Sequence, residues 1–152
     1  MIYIGIDPGS KSGAYAILGS DNSVKVFHWD NDRFVSHMRT LTIIRDVDDE
    51  KVMAVVEKVN AMPKQGVSST WVFAENFGYI QGVLHAFGIP YQLVPPRVWK
   101  KMYSLTSDKT QSIEVCHRLF PDVSLKRTER SRVDDNNFAE SVLIAEYARR
   151  KI

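Results

Sequence analysis

An apolar run at the start of the chain ends abruptly on a carboxylate, and this feature constrains the fold more than any other. Residues 2–6 form the run, Asp7 follows it, and Pro8-Gly9 prevents a strand from continuing. A buried strand therefore delivers Asp7 to its C-terminal end, the edge where open α/β sheets build their sites. Taken alone, Asp7 is equally compatible with a surface Asp-Pro-Gly turn.

Four further segments have the composition of strands. Segments 13–18 and 24–29 are joined by a turn at 19–22, which predicts an antiparallel hairpin. Segment 52–57 is apolar on both faces, as a central parallel strand should be, and it also ends on a carboxylate, Glu57. Segment 91–94 predicts a short fifth strand.

Helical spacing of apolar residues predicts five helices. They cover about 33–44, a stretch from a cap at Ser69 or Thr70 to about Phe87, a short segment after Pro95-Pro96, about 109–119 and an amphipathic stretch over about 136–151. Segments 46–50 and 126–133 are predicted to be polar and basic links. Gly78 and Gly82 would let another element approach the second helix, usually the sheet and less often a second copy.

The order of these elements predicts a mixed α/β sheet, with an antiparallel meander followed by parallel strands that cross through helices. Right-handed crossovers place the fourth strand beside the first, so that Asp7 and Glu57 meet at adjacent strand ends. The length of 152 residues suits one domain over 1–152.

The composition, 44% hydrophobic and 25% charged, is typical of a soluble globular protein. No apolar run has the length of a membrane span, and the N-terminus lacks a secretory pattern. The single Cys116 excludes an intramolecular disulfide and a Cys-cluster zinc site, and is expected to be a core thiol. We therefore predict a reducing, cytoplasmic location and no membrane association.

Positive charge is concentrated in the segment 97–132, which holds nine basic and four acidic residues. Such a stretch favours a surface that binds a polyanion, although charge runs are often only a solvated face. The bases are Arg97, Lys100, Lys101, Lys109, Arg118, Lys126, Arg127, Arg130 and Arg132.

Acidic residues recur where the predicted last helix begins. Asp134, Asp135 and Glu140 could join Asp7 and Glu57 at the sheet edge. Several carboxylates that converge without Cys or His ligands suit Mg²⁺ or Mn²⁺, and two such ions can activate water against a phosphodiester. The basic segment would then hold the nucleic acid that the carboxylates repel.

Three segments together resemble the RuvC family of four-way (Holliday) junction resolvases, most closely its short bacteriophage branch. They are 4–9 (IGIDPG), 55–59 (VVEKV) and 138–147 (FAESVLIAEY). The first is shared with actin-like ATPases and sugar kinases, but an ATP-binding enzyme of that kind would need a second lobe. The resemblance covers nearly the whole chain. It implies an RNase H-like fold with a five-stranded mixed sheet, and a homodimer. It also implies Mg²⁺-dependent symmetric nicking of branched DNA, with Mn²⁺ as a substitute, in recombination or in processing of replicated DNA. A phage-encoded protein of this kind would act in the host-cell cytoplasm.

One metal-binding acid of the family is missing here. Asp7 and Glu57 match the first two acids and Glu140 the last, but the acid expected three or four residues earlier is replaced by Asn137 and Asn136. An asparagine ligates Mg²⁺ through its carbonyl oxygen and brings no charge. The resemblance implies catalytic roles for Asp7, Glu57, Asn136 and Glu140. Metal contacts are expected from Asp7, Glu57, Asp135, Asn136, Asn137 and Glu140.

Three interpretations of the asparagines remain open. Asp134 or Asp135 replaces the missing acid from one turn earlier, or the protein binds junctions with weak or no cleavage. The third interpretation is an engineered Asp-to-Asn change at Asn136 that traps an inactive complex with DNA.

DNA contacts are expected from the loop after Glu57 and from the basic segment. Met62 or Trp71 could act as an apolar wedge against unstacked bases, although burial in the helix core is the favoured interpretation for Trp71. Lys109 lies in the first turn of a predicted helix, where backbone N–H groups also face anions. Trp99 is predicted to be a packing anchor, and none of the four histidines is predicted to be catalytic. The predicted DNA-binding residues are Met62, Lys64, Lys100, Lys101, Lys109, Arg118, Lys126, Arg127 and Arg130.

Overall fold

The computed structural model describes residues 1–60 and 63–152. Its strands are β1 (Ile2–Asp7), β2 (Ala14–Leu18), β3 (Val24–His28), β4 (Val52–Glu57) and β5 (Tyr91–Val94). Its helices are α1 (Asn31–Asp48), α2 (Val67–Ala86), α3 (Pro96–Met102), α4 (Thr110–Leu119) and α5 (Asn136–Lys151). All five predicted strands and all five predicted helices are therefore present.

The strands form one sheet in the order β3-β2-β1-β4-β5. β1 pairs antiparallel with β2 and parallel with β4, and β5 extends the parallel side. In the register of β1 and β4, Ile6 lies opposite Val56. The next residues, Asp7 and Glu57, consequently end neighbouring strands at the same edge of the sheet, which confirms the predicted mixed topology.

Apolar side chains fill both faces of the sheet because β1 and β4 are apolar on both sides. Ile4, Ile6 and Val56 pack on one face with α1 and α2, where Phe34 and Leu84 are buried. On the opposite face, Val55 packs with residues of α3, α4 and α5, including Trp99, Cys116 and Leu143. The predicted burial of Cys116 is thus confirmed.

α5 is buried on more sides than the amphipathic pattern predicted. Every residue from Phe138 to Glu146 is buried, because the helix lies on the sheet while α3 and α4 cover its outer side. The contact with β1 is so close that a Cβ built on Gly5 would lie 2.1 Å from the carbonyl oxygen of Ser141. A glycine is therefore required at that position.

Two predicted helix boundaries were wrong. α1 continues to Asp48, through most of the predicted polar link, and the side chain of Asp30 caps its start. α2 begins at Val67 with Gly66 as its N-cap, because the backbone N–H of Thr70 already donates to the Gly66 carbonyl as the first helical bond. α4 begins at Thr110, within one residue of its predicted start, and the Thr110 backbone N–H donates to Asp108. Lys109 therefore precedes the first turn, whereas it was predicted to lie in it.

Gly78 and Gly82 were predicted to let the sheet approach α2 closely, but they do not face the sheet. A Cβ built at either position meets nothing within 4 Å, so both glycines face open space. The side of α2 that packs on the sheet carries Ile80 and Leu84 instead. Over the described residues, no helix combines the length and apolar character needed to cross a membrane.

Candidate metal centre and nucleic-acid interface

Three carboxylates meet at the edge where β1 and β4 end. Asp7 and Glu57 are the last residues of these strands, and Glu140 lies in the second turn of α5. One carboxylate oxygen from each falls within 4.8 Å of the other two. Their side chains are largely removed from solvent, with 9%, 5% and 8% of Asp7, Glu57 and Glu140 exposed.

This convergence is electrostatically unfavourable without a cation. Burial raises the pKa of Asp7 well above its ordinary value, and the negative charges of Glu57 and Glu140 raise it further. Burial also raises the pKa of Glu57. Oxygen ligands that are crowded and poorly hydrated fit a hard divalent cation, whose charge would offset their mutual repulsion. The residues present therefore fit the implied metal.

Two consecutive residues of α3 bond to two different carboxylates of this group. The indole Nε1 of Trp99 donates to Oε2 of Glu57 at 2.7 Å, and Nζ of Lys100 pairs with Oε1 of Glu140 at 3.0 Å. The bond from Trp99 lowers the pKa of Glu57 and so opposes the effect of burial. Trp99 is fully buried, as expected of a packing anchor, but its polar role was missed. The available signal was that a buried indole N–H requires an acceptor.

Asn136, the first residue of α5, lies close to the three-carboxylate group. It lines a cavity of 200 Å³ together with Asp7, Lys100 and Glu140. Its Oδ1 is buried and accepts no hydrogen bond from the residues that the structure describes. A buried carbonyl oxygen requires a donor or a cation, so Asn136 is compatible with a ligand role.

The neighbouring residues are engaged elsewhere and do not join the three-carboxylate group. Asp135 caps α5 by accepting from the backbone N–H of Phe138, and its other oxygen accepts from Arg127. Asp134 pairs with His117 at 2.7 Å. Asn137 donates from Nδ2 to the carbonyl oxygen of Ser12 at 2.7 Å, although it also lines the cavity.

Comparisons with known proteins identify the family of this chain. A family model described as Poxvirus A22 protein matches residues 1–149. The chain belongs to the poxvirus A22 family. No match to a curated protein was found.

Solved structures share the fold of this A22-family chain at low sequence identity. RuvC of Thermus thermophilus in complex with a Holliday junction substrate matches with a TM-score of 0.60 and 14% identity, covering 99% of this chain and 96% of RuvC. The fowlpox virus Holliday junction resolvase matches with a TM-score of 0.55 and 16% identity over 100% of both chains. A yeast mitochondrial Holliday junction resolvase matches with a TM-score of 0.52 and 17% identity, covering 94% of this chain and 75% of the yeast chain. The predicted RNase H-like fold and the resemblance to the RuvC family are confirmed.

The bases predicted to bind DNA fall into two groups in the A22-family chain. Lys100 and Arg127 are half-buried and pair with Glu140 and Asp135. The other described bases are exposed, and Lys109 lines the same cavity as Asp7. These exposed residues are Lys64, Lys101, Lys109, Arg118, Lys126 and Arg130. Met62, the remaining predicted contact, lies outside the described residues.

A second groove borders the same edge of the sheet. It has a volume of 390 Å³ and lies between the loop after β1, with Lys11 and Ser12, and the start of α2, with Ser68 and Ser69. Trp71 lies one turn further along α2 and is 73% exposed. The expected burial of Trp71 in the core was therefore wrong, because α2 turns this side chain away from the sheet.

Proposed function

We propose that this A22-family protein is a structure-selective endodeoxyribonuclease that binds four-way (Holliday) and other branched DNA and nicks it symmetrically. The observation that carries the proposal is the convergence of Asp7, Glu57 and Glu140 at the ends of adjacent strands. Exposed bases such as Lys101 and Lys109 lie nearby for the phosphate backbone. The structurally similar fowlpox and yeast proteins are Holliday junction resolvases, and RuvC binds a Holliday junction substrate, which supports the same substrate here.

We propose Mg²⁺ as the cofactor, with Mn²⁺ as a substitute. Asp7, Glu57, Glu140 and the Oδ1 of Asn136 would hold it, and when bound it would supply Lewis-acid activation of the attacking water and the leaving oxygen. Asp135 and Asn137, the other predicted ligands, would first have to release the bonds described above.

The chain's own residues prepare this site. Trp99 holds Glu57 in place through one of its carboxylate oxygens, and Glu57 also belongs to the three-carboxylate group. Lys100 places an ammonium group in the cavity that Asp7 lines, where it would balance the charge of a scissile phosphate. Because little water reaches these buried groups, the electrostatic interactions between their charges are stronger than they would be in solvent.

A second candidate function is binding of junctions with little or no cleavage. The observation that favours it is the neutral side chain of Asn136, which lowers the negative charge available to a cation. The two functions differ in one experiment: a native gel and a nicking assay on a synthetic four-way junction, each in Mg²⁺ and in EDTA. Nicks at symmetric positions in Mg²⁺ alone support the nuclease. Binding in EDTA without nicks in Mg²⁺ supports the binding protein, and no binding in either contradicts both.

We also propose that the protein is a homodimer whose copies meet through the outer face of α2. This face carries exposed Trp71 and Val67 and the open surface at Gly78 and Gly82, where a second helix could approach closely. Two copies would direct two sites at symmetric strands of a junction. Analytical ultracentrifugation of the wild type and of Trp71→Ser, which compares their oligomeric states, tests this interface. A dimer that Trp71→Ser leaves intact would contradict it.

We further propose a single domain and a cytoplasmic site of action. The five strands and their covering helices form one nuclease domain over 1–152, since both cores share the same sheet. The viral name of the family and the buried, unpaired Cys116 support action in the cytoplasm of the host cell.

A further inference from the structure

Two side chains converge on the loop that follows Asp7. Arg127 donates from Nη1 to the carbonyl oxygen of Lys11 at 3.4 Å and from Nη2 to that of Ser12 at 3.2 Å. Asn137 donates to the same Ser12 oxygen at 2.7 Å. The third guanidinium nitrogen of Arg127, Nε, donates to Asp135 at 2.9 Å.

We propose that Arg127 and Asn137 are positioning residues that clamp the loop between β1 and β2 to the start of α5. The clamp connects the two elements that carry Asp7 and Asn136. The inference rests on the proposed function, because it assigns the clamp to the cation site of that nuclease.

The connections are short in sequence. The clamped carbonyls lie four and five residues after Asp7, in a turn closed by a backbone bond from Gly13 to Gly9. At the other end, Asp135 caps α5 and is followed at once by Asn136. A displacement of the loop relative to α5 would therefore change the distance between Asp7 and Asn136.

Arg127 was expected to contact DNA, and its surroundings argue against that role. Its guanidinium lies 5.8 Å from the ring of Phe138, and all three of its nitrogens donate to protein oxygens. Its neighbours Lys126 and Arg130 are exposed and remain free to meet phosphates. The planar guanidinium suits three simultaneous acceptors, which a lysine ammonium on the same backbone would not reproduce.

The bond from Asn137 to the loop explains why an asparagine, and not an acid, stands at this position. A carboxylate at this position would place an oxygen without a proton against the Ser12 carbonyl, where the amide N–H now donates. The two asparagines therefore differ: the Oδ1 of Asn136 is buried and accepts no hydrogen bond from the described residues, whereas the Nδ2 of Asn137 donates to the loop.

The test is Mn²⁺ binding to the DNA-free protein, followed by electron paramagnetic resonance of the free ion. We expect Arg127→Ala and Asn137→Asp each to raise the Mn²⁺ dissociation constant about tenfold, as loss of outer-shell partners usually does. Arg127→Lys should not restore it. Arg39→Ala, which removes an exposed arginine of α1, is the matched control and should bind Mn²⁺ as the wild type does.

Two further measurements separate a clamp from a DNA contact and from general misfolding. Amide hydrogen exchange of residues 10–13 should become faster in Arg127→Ala, while the amides of β1 and β4 keep wild-type rates. The junction dissociation constant in EDTA should change less than about twofold, with an unchanged dependence on salt. If Arg127→Ala does not fold, Asn137→Asp carries the same test from the other side of the clamp.

Two results would overturn the inference. One is wild-type Mn²⁺ affinity in both clamp variants together with a junction affinity whose salt slope falls by about one, which is the behaviour of a phosphate contact. The other is a wild-type protein without measurable Mn²⁺ affinity. A protein that binds Mn²⁺ but neither binds nor cuts junctions would refute the proposed nuclease while the exchange and Mn²⁺ data still decide the clamp.

Discussion

Glu57, the last residue of β4, takes part in two different interactions through its carboxylate. Oε2 accepts the indole N–H of Trp99, and the carboxylate also belongs to the group formed with Asp7 and Glu140. The bond with Trp99 holds the side chain in one orientation and favours its charged form against the effect of burial.

At the scale of the residue, Trp99→Phe isolates this bond because the ring remains while the N–H is lost. We expect a loss of about 2 kcal/mol in the free energy of unfolding, since Oε2 is left buried without a donor. The Mg²⁺ concentration for half-maximal nicking should rise about tenfold. Urea unfolding and a Mg²⁺ titration of nicking measure the two effects.

Trp29→Phe is the matched control for that change. It also removes an indole N–H bond, to Asn31, but in the other core. It should lower stability and leave the Mg²⁺ midpoint unchanged. An equal shift of the midpoint in both variants would show that Trp99 acts through stability alone.

Asn136→Asp tests the buried side-chain oxygen at this position as a metal ligand. It adds a negative charge to the ligand set, so we expect tighter Mn²⁺ binding, by about tenfold, and faster junction nicking in Mg²⁺. Asn137→Asp should have the opposite effect on Mn²⁺ binding. Nicking by Asn136→Asp that equals the wild type would contradict a ligand role for this position.

Sequence reasoning succeeded at some residues and failed at others for identifiable reasons. Asp7 and Glu57 were predicted to meet because a buried parallel strand must end at a definite edge of the sheet. The packing role of Trp99 was predicted, but its bond to Glu57 and the bonds of Arg127 to the loop were not, since they depend on side-chain direction, which a charge run or an aromatic residue does not encode. The exposure of Trp71 was missed for the same reason.

α5 has the limits that its sequence predicts, but it is buried on more sides than the amphipathic pattern predicts. Its apolar residues have helical spacing, which predicts a helix but does not reveal that α3 and α4 cover its outer side. The close contact with β1 at Gly5 is equally invisible, because a glycine in a strand is also common at bulges and turns.

Gly5→Ala tests that contact directly. The new Cβ would lie 2.1 Å from the Ser141 carbonyl oxygen and 2.3 Å from the backbone nitrogen of Ala145, so that α5 must move away from the sheet. We expect a loss of about 3 kcal/mol or more in the free energy of unfolding. Gly82→Ala, where the Cβ meets nothing, should instead gain about 1 kcal/mol from helix propensity. Chemical denaturation of both variants decides, and an unaffected Gly5→Ala would contradict the packing described.

At the scale of the whole molecule, the site makes stability depend on pH and on metal. The pKa of Asp7 is higher in the folded state than its ordinary value of 3.8, and that of Glu57 is also raised. The folded protein therefore holds protons that the unfolded chain releases. The stability associated with these groups is present at low pH and is lost as the pH rises through the folded pKa values.

We therefore expect Asp7→Asn to gain stability over the wild type in EDTA, by an amount that grows as the pH is raised. Mg²⁺ should remove the difference, because a cation offsets the repulsion that the substitution relieves. Urea unfolding of both proteins across pH, with EDTA or Mg²⁺, measures this. An Asp7→Asn variant that is less stable at every pH would refute the electrostatic description of the site.

The ion pair between Lys100 and Glu140 has a consequence for the order of events on DNA. Glu140 already has a positive partner, so a cation bound by its carboxylate would compete with Lys100. The freed ammonium would then seek a new anion in the cavity, and a backbone phosphate is the one that the substrate brings. Each ligand thus raises the affinity for the other by the same factor. Metal and DNA would therefore bind cooperatively, and metal bound without DNA would leave the site largely inactive.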